Sequence, residues 1–406
     1  MTRIGIIRET KIPTDNRTPL TPAQCKELLS TYSDLEILVQ PSDLRVFSDE
    51  EYRQAGAVIS EDMTTCDYLF GVKEVNIDAL IPDKHYFFFA HIGKQQPYNK
   101  ELCRAMIEKK VTLTDYEYLT DRAKKRLVSF SFWAGVMGVY NTLRLYGLRH
   151  RLFKLPAPDK KFTVADILNN GRPAINSMKL NPKTKVRILV TGQGRASQGA
   201  QFILKELGIR QLSVPAYLCT DTKEPVFTVA STADLVRRKD GKFYDRADFK
   251  AHPESYTSDF RKFAYATTIF IPCHFWAPEH PKYFTRDLFS TSNIDVVGDV
   301  TCDIKGSVES TIRPSTHQSP FYGIDVNGGF EETPYSTIGT IGVMAVDTLP
   351  NAIPFEASKS FGEKLLDHVF PALLGEDKEE VIARATLISN GELTEPFRYL
   401  KDFAGV

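Results

Sequence analysis

Apolar and polar positions alternate in two distinct rhythms along the first third of the chain. Short apolar runs at Arg3 to Ile7, Glu36 to Val39, Tyr68 to Val72 and Tyr86 to Ala90 predict strands, and Thr21 to Ser30 and Glu50 to Ala55 predict helices between them. Strand and helix taking turns predicts a mostly parallel sheet covered on both faces. From Ser131 to Leu148 the residues Trp133, Val136, Met137, Tyr140, Leu143 and Leu145 recur at helical spacing, so one long helix leads out of the first domain. Phe153 to Thr184, rich in Pro, Asn, Asp and Lys, reads as an irregular connector.

A second domain begins after it. Lys185 to Val190 is a predicted strand, Gly192 to Gly199 a turn, and Ala200 to Leu207 a helix ended by Gly208. Further strands are expected at Thr268 to Pro272 and Asp295 to Val300, with a polar insertion around Arg237 to Lys262. A helix is expected from Gly342 through Leu349, broken at Pro350 and Pro354 and resuming from Glu356 to His368, with a helical tail from Phe370. The fold class expected is α/β, two doubly wound Rossmann-like domains with mostly parallel sheets and a cleft between them. The boundaries read 1–136 plus 340–406 for a substrate domain and 137–339 for a dinucleotide-binding domain.

Composition narrows the function. At 406 residues the chain exceeds the size of one ordinary core, and 42% hydrophobic with 25% charged residues excludes disorder and fibrous repeats. Lys plus Arg and Asp plus Glu both total 51, so no net field favours nucleic acid or anionic lipid. No apolar stretch approaches the roughly 20 residues that span a bilayer, and Met1 to Arg8 lacks an apolar signal core, so a cytoplasmic protein is expected. The cysteines are scattered without metal-ligand spacing, so neither a disulfide framework nor a metal site is expected. Cys273 and His274 are adjacent, and on a strand adjacent side chains face opposite ways, which favours core packing over a nucleophilic pair.

Gly192 and Gly194 follow a strand and precede a helix, where the first allows a tight turn and the second lets a pyrophosphate approach the helix N-terminus. The third position of the pattern is Ser197, with Gly199 two residues on. Asp221, past the apolar run Leu212 to Leu218, reads as the carboxylate that binds adenosine ribose hydroxyls and favours NAD; Arg195 and Lys223 keep NADP open. In the first domain Lys73 and His91 each close an apolar strand, at the edge where doubly wound sheets carry their sites. A nearby cation and desolvation lower a lysine pKa, which makes neutral Lys73 a candidate base. Arg17 lies on a loop before a helix, where a guanidinium can clamp a carboxylate bidentately, with plain surface placement the alternative reading. Asp115 and Glu117 are expected on one strand face, as salt-bridge partners of Lys73 or Arg126.

These residues together resemble the alanine dehydrogenase and transhydrogenase superfamily, and within it the lysine-forming saccharopine dehydrogenases, or lysine-ketoglutarate reductases. The similarity covers nearly the whole chain. It runs through Arg8 to Lys11, Arg17 to Pro22, Gly71 to Lys73, Phe89 to His91, Asp115 to Glu117, Trp133 to Gly135, Gly298 to Asp303, Val346 to Pro350 and Pro354 to Ser358. Phe243 to Phe284 and Ile388 to Gly391 look more like the reductase domain of bifunctional lysine-degrading enzymes.

The resemblance implies a catalytic pair, Lys73 and His91. It implies substrate contacts at Arg17, Gln96, Arg126, Phe130, Thr301, Cys302 and Asp303, and dinucleotide contacts at Gly192, Gly194, Arg195, Asp221, Phe275, Val300, Val346, Asp347, Thr348 and Leu349. Lys125 stands where fungal enzymes carry a cofactor-contacting Arg, and Phe275 where they carry Tyr. The implied cofactor is NAD, with NADP as the alternative. The partners are small molecules, saccharopine or lysine and 2-oxoglutarate, with the chain a monomer or homodimer and no nucleic-acid or membrane partner. An alanine dehydrogenase-like enzyme and a catalytically silent dinucleotide sensor are the competing readings.

Overall fold

The computed structural model describes residues 1–180, 185–327, 329–331, 334–336 and 338–405. The chain divides into two compact units, Met1–Phe130 with Pro354–Val406, and Ser131–Ile353. The sequence pattern had suggested breaks at 136/137 and 339/340.

The first unit is built on a sheet of eight strands. Its parallel part consists of β1 (Thr2–Ile6), β2 (Leu35–Val39), β3 (Val58–Ile59), β4 (Tyr68–Phe70), β5 (His85–Phe88) and β6 (Thr112–Asp115), in the order β6-β5-β4-β1-β2-β3. Antiparallel strands Thr386–Ser389 and Glu392–Leu393 extend it beyond β6. Ile4, Ile6, Leu69, Phe70, Phe87 and Phe88 are buried, as expected of strands covered on both faces. Helices α1 (Pro22–Thr31), α2 (Asp49–Gln54) and α3 (Lys100–Glu108) connect the strands. Thr21 and Ser48 accept at the starts of α1 and α2 from the backbone N–H groups of Gln24 and Glu51.

The second unit opens with two long helices, α4 (Ser131–Arg149) and α5 (Val164–Leu180), and a second sheet of eight strands. In chain order the strands are β7 (Arg187–Thr191), β8 (Arg210–Gln211), β9 (Val226–Ala230), β10 (Val236–Arg238), β11 (Tyr256–Ser258), β12 (Ile269–Pro272), β13 (Val296–Gly298), β14 (Phe321–Asp325), β15 (Phe330–Glu331) and β16 (Thr340–Met344). The sheet runs β15-β14-β16-β13-β12-β7-β9-β8, parallel from β16 to β8, while β10 and β11 form a separate hairpin. Helix α6 (Arg195–Glu206) follows β7 directly.

Four expectations about this chain need correction. The connector after Phe153 contains α5, whose Ile167, Ala174, Ile175 and Met178 are buried; Gly171 and Pro173 inside it disguised the helix. The last residues of that stretch, 181–184, lie outside the described residues. Thr340–Met344 is a buried β-strand rather than a helix, because Ile341 and Val343 fill a fully covered position beside β13. The tail is mixed, with strands at Thr386–Ser389 and Glu392–Leu393 among short helices. Helix α6 starts at Arg195, not Ala200, so Gly199 lies within it. A Cβ on Gly199 would stand 1.8 Å from the Phe132 carbonyl, and one on Gly135 1.8 Å from the Ala196 carbonyl. These glycines let α4 and α6 cross backbone to backbone, so Gly199 serves packing rather than the turn.

Candidate active site

The carboxyl ends of β1, β4, β5 and β6 lie along one edge of the first sheet, and the charged side chains gather there. Lys73 follows β4 and is largely buried, and its Nζ makes no hydrogen bond or ion pair among the described residues. Burial, and then the Arg17 charge, lower its pKa from the ordinary lysine value. Its backbone is fixed from below. The carboxyl group of Glu9, just past β1, accepts from the N–H groups of Val72 at 2.6 Å and Lys73 at 2.9 Å. Burial and the neighbouring Asp15 charge push Glu9 up to about 8, against the opposing backbone hydrogen bonds.

His91 follows β5, which pairs directly with β4. Its backbone is left-handed, φ 53°, an uncommon state for a residue with a Cβ. Asn99 holds the preceding turn by donating from Nδ2 to the Ala90 carbonyl at 2.9 Å. His91 Nδ1 meets Glu74 Oε1 at 2.8 Å, while Lys11 Nζ binds the other Glu74 oxygen at 2.6 Å. Burial alone would raise the Glu74 pKa, but the hydrogen bonds from His91 and Lys11 outweigh it and hold it at about 2. Glu74 thus joins the end of β4 to the imidazole at the end of β5.

Arg17 is 4% exposed, paired through Nε and Nη2 with Asp15, which is equally buried, and its guanidinium lies 4.2 Å from the Phe130 ring centre. Burial opposes ionisation of Asp15, yet the Arg17 charge and hydrogen bonds keep its pKa below the usual value. Phe130 in turn stacks on Phe361, with ring centres 4.4 Å apart. Strand β6 ends at Asp115, and Glu117 lies in the following turn, Tyr116–Tyr118, so the two carboxylates do not share a strand face. Asp115 accepts from the N–H groups of Ala90 and Glu117 and makes no bridge to Lys73; burial raises it to about 6. Glu117 bridges Arg126 at 2.7 Å and Lys94 at 2.6 Å. Gln96 is exposed on the loop after His91, and Lys125 is exposed on the turn before Arg126. Lys125, for which the resemblance implies a cofactor contact, lies in the first unit.

In the second unit the Gly turn follows β7. Gly192 has φ 92°, and a Cβ there would stand 2.7 Å from His274 Cα, so only glycine fits. A Cβ on Gly194 would meet nothing within 4 Å, and the first turn of α6 contains no acidic residue. That open approach to a helix N-terminus suits a pyrophosphate. Phe275 follows β12 and is 82% exposed, in contrast to buried His274, which joins Thr191 and Ser307 at 2.7 Å each. Val300 and Thr301 to Asp303 follow β13, and Val346 to Leu349 follow β16. Buried Asp299 shapes the loop after β13, accepting from Thr301 N and Oγ1, Cys302 N and Thr311 Oγ1, with Cys302 left-handed at φ 53°. All these residues lie at carboxyl ends of parallel strands, the same edge as the Gly turn.

Asp221 does not. Its carboxylate pairs with Lys185 at 2.6 Å, and Lys185 precedes β7, so Asp221 sits at the opposite end of that strand from Gly192. The run Leu212 to Leu218, taken as leading to the ribose, contains a helix, Val214–Cys219, and the strand beside β7 is β9. Among the described residues no group of three His, Cys, Asp or Glu side chains suits a metal, and no helix is long and apolar enough to cross a membrane.

Glu9, Lys11, Asp15, Glu74 and Lys94 were not singled out from sequence. Glu74 directly follows Lys73 and Asp15 precedes Arg17 by two, so proximity was the available signal. Glu9 is brought to Lys73 only by the pairing of β1 with β4.

Residues 5–137 match the family model described as alanine dehydrogenase/PNT, N-terminal domain. The saccharopine dehydrogenase [NAD(+), L-lysine-forming] of Emericella nidulans is 25% identical, covering 92% of this chain and 91% of the relative. These similarities support placing the chain in the alanine dehydrogenase and transhydrogenase superfamily. Within the superfamily, the alpha-aminoadipic semialdehyde synthase of Arabidopsis thaliana is 30% identical over 98% of this chain. The chain spans 41% of the length of that relative, and 46% of the mouse protein of the same name. An L-alanine dehydrogenase structure shares the fold, with a TM-score of 0.65 at 15% identity over 99% of both chains.

Proposed function

We propose that the chain is a lysine-forming saccharopine dehydrogenase, interconverting saccharopine, NAD(P)+ and water with lysine, 2-oxoglutarate and NAD(P)H. The observation that carries this reading is the pairing of Lys73, a largely buried lysine that makes no close ion pair among the described residues, with His91 on the neighbouring strand end, tied through Glu74. The similarity to saccharopine dehydrogenases over most of both chains supports it. The exposed Gly194 and the acid-free start of α6 would hold a dinucleotide pyrophosphate, and a bound nicotinamide supplies the hydride acceptor.

Neutral Lys73 takes the proton of the secondary amine as the adjacent C–H bond loses its hydride, leaving an imine. His91, oriented through Nδ1 by Glu74, takes a proton from the water that adds to the imine carbon. The C–N bond then breaks as the nitrogen is protonated, and lysine and 2-oxoglutarate leave. Saccharopine carries three carboxylates, and Arg17, Arg126, Lys94 and Lys11 are the cations grouped around Lys73 and His91 in the first unit.

Purified protein with lysine, 2-oxoglutarate and NADH or NADPH is expected to consume the reduced cofactor, read as loss of its near-ultraviolet absorbance. Ammonium with pyruvate is expected to give no comparable rate. Turnover with pyruvate alone would favour the alanine dehydrogenase reading, and no turnover with either pair would favour a silent sensor.

A further inference from the structure

With Asp221 at the far end of β7, the carboxylate for the adenosine ribose must come from elsewhere, and we infer that Asp234 supplies it and makes NAD(H) the preferred dinucleotide. The inference rests on the dinucleotide part of the proposed function. In a doubly wound sheet the ribose hydroxyls meet the residue at the carboxyl end of the strand beside the Gly-turn strand. Here that strand is β9, whose register with β7 pairs Ala230 with Thr191. The Gly192 N–H donates to the Ala230 carbonyl at 2.9 Å, so the glycine turn and the end of β9 are in contact.

The next residue is Ser231, which is no carboxylate, and this position alone would not exclude a 2′-phosphate. Asp234, three residues on, folds its side chain back. Its Oδ2 accepts from Ser231 N at 2.8 Å and Ser231 Oγ at 2.6 Å, which places the carboxylate against the end of β9. Among the described residues its Oδ1 accepts no hydrogen bond. One oxygen is thus fixed by Ser231, and the other remains to accept from ribose hydroxyls. The fixed negative charge repels a 2′-phosphate.

Equilibrium binding followed by the fluorescence of the reduced cofactor, without substrate, tests this. Wild-type protein is expected to bind NADH more tightly than NADPH. Asp234→Asn, which keeps the size and the Ser231 hydrogen bonds, is expected to shrink that preference at least about tenfold. Asp221→Asn is expected to leave it unchanged. Ser231→Ala, which removes one donor but keeps the carboxylate, is expected to retain the preference and guards against a folding defect in the Asn variant. Equal or tighter NADPH binding by wild type, or an unaltered preference in Asp234→Asn, would overturn the inference while leaving the dinucleotide reading intact. Binding of neither dinucleotide by wild type would overturn that reading, and the inference with it.

Discussion

Replacing Lys73 by Met is expected to lower kcat for lysine and 2-oxoglutarate by roughly 10² to 10⁴, the usual contribution of a positioned acid or base. The substitution keeps the length and apolar stem and removes only the amine, so NADH binding should change little. Because Lys73 has no ion pair among the described residues, its loss strands no carboxylate partner and the protein should remain folded. The pH profile separates chemistry from structure. Burial and the Arg17 charge disfavour the ammonium form, so the wild-type profile should contain an ionisation below the ordinary lysine range that is missing from the variant. His91→Gln is expected to slow turnover as well, and the double variant to lose much less than the product of the two losses if both act on one proton pathway. A Lys73→Met enzyme with wild-type turnover would remove Lys73 from the mechanism.

Arg17→Ala is expected to damage stability as much as substrate binding. Arg17 and Asp15 are each 4% exposed, so removing the guanidinium leaves a buried carboxylate with no comparable partner. Breaking such a pair typically costs about 3–5 kcal/mol. The variant should show a lower urea midpoint together with a raised KM for 2-oxoglutarate. The direction with pH follows from Asp15, whose pKa is depressed by Arg17 despite burial. Its stabilising contribution is present above the ordinary carboxylate pKa and is lost as pH falls through that value toward the depressed one. The wild-type stability should therefore fall toward acid more steeply than that of Arg17→Ala. Replacing Asp15 as well, by Asn, should recover part of the stability but not the KM. A stable Arg17→Ala with unchanged KM would contradict both roles.

Much of this architecture was legible in the sequence because its parallel strands are short apolar runs such as Tyr68 to Val72 and Tyr86 to Ala90. Their carboxyl ends mark Lys73 and His91 in the sequence itself. Periodicity failed where local signals conflicted with packing. Pro173 and Gly171 made α5 look like a connector, and a fully buried strand at Thr340–Met344 has no alternation to distinguish it from a helix. The strand order failed differently. Asp221 reads as the ribose carboxylate from its place after α6, but the two-residue β8 takes the sheet edge and β9 takes the place beside β7. No local pattern encodes that exchange, and it is what removed Asp221 from the ribose. The carboxylates Glu9 and Glu74 were hidden for a related reason, since their roles exist only once β1, β4 and β5 are paired.

The central claim is that a hydride reaches the carbon joining 2-oxoglutarate to the lysine amine. Mass spectrometry of the product formed from lysine, 2-oxoglutarate and NADH deuterated at the transferring position tests it directly. The account predicts saccharopine bearing one deuterium on the glutarate carbon attached to nitrogen; deuterated 2-hydroxyglutarate, or unreacted lysine and 2-oxoglutarate with NADH intact, would contradict it.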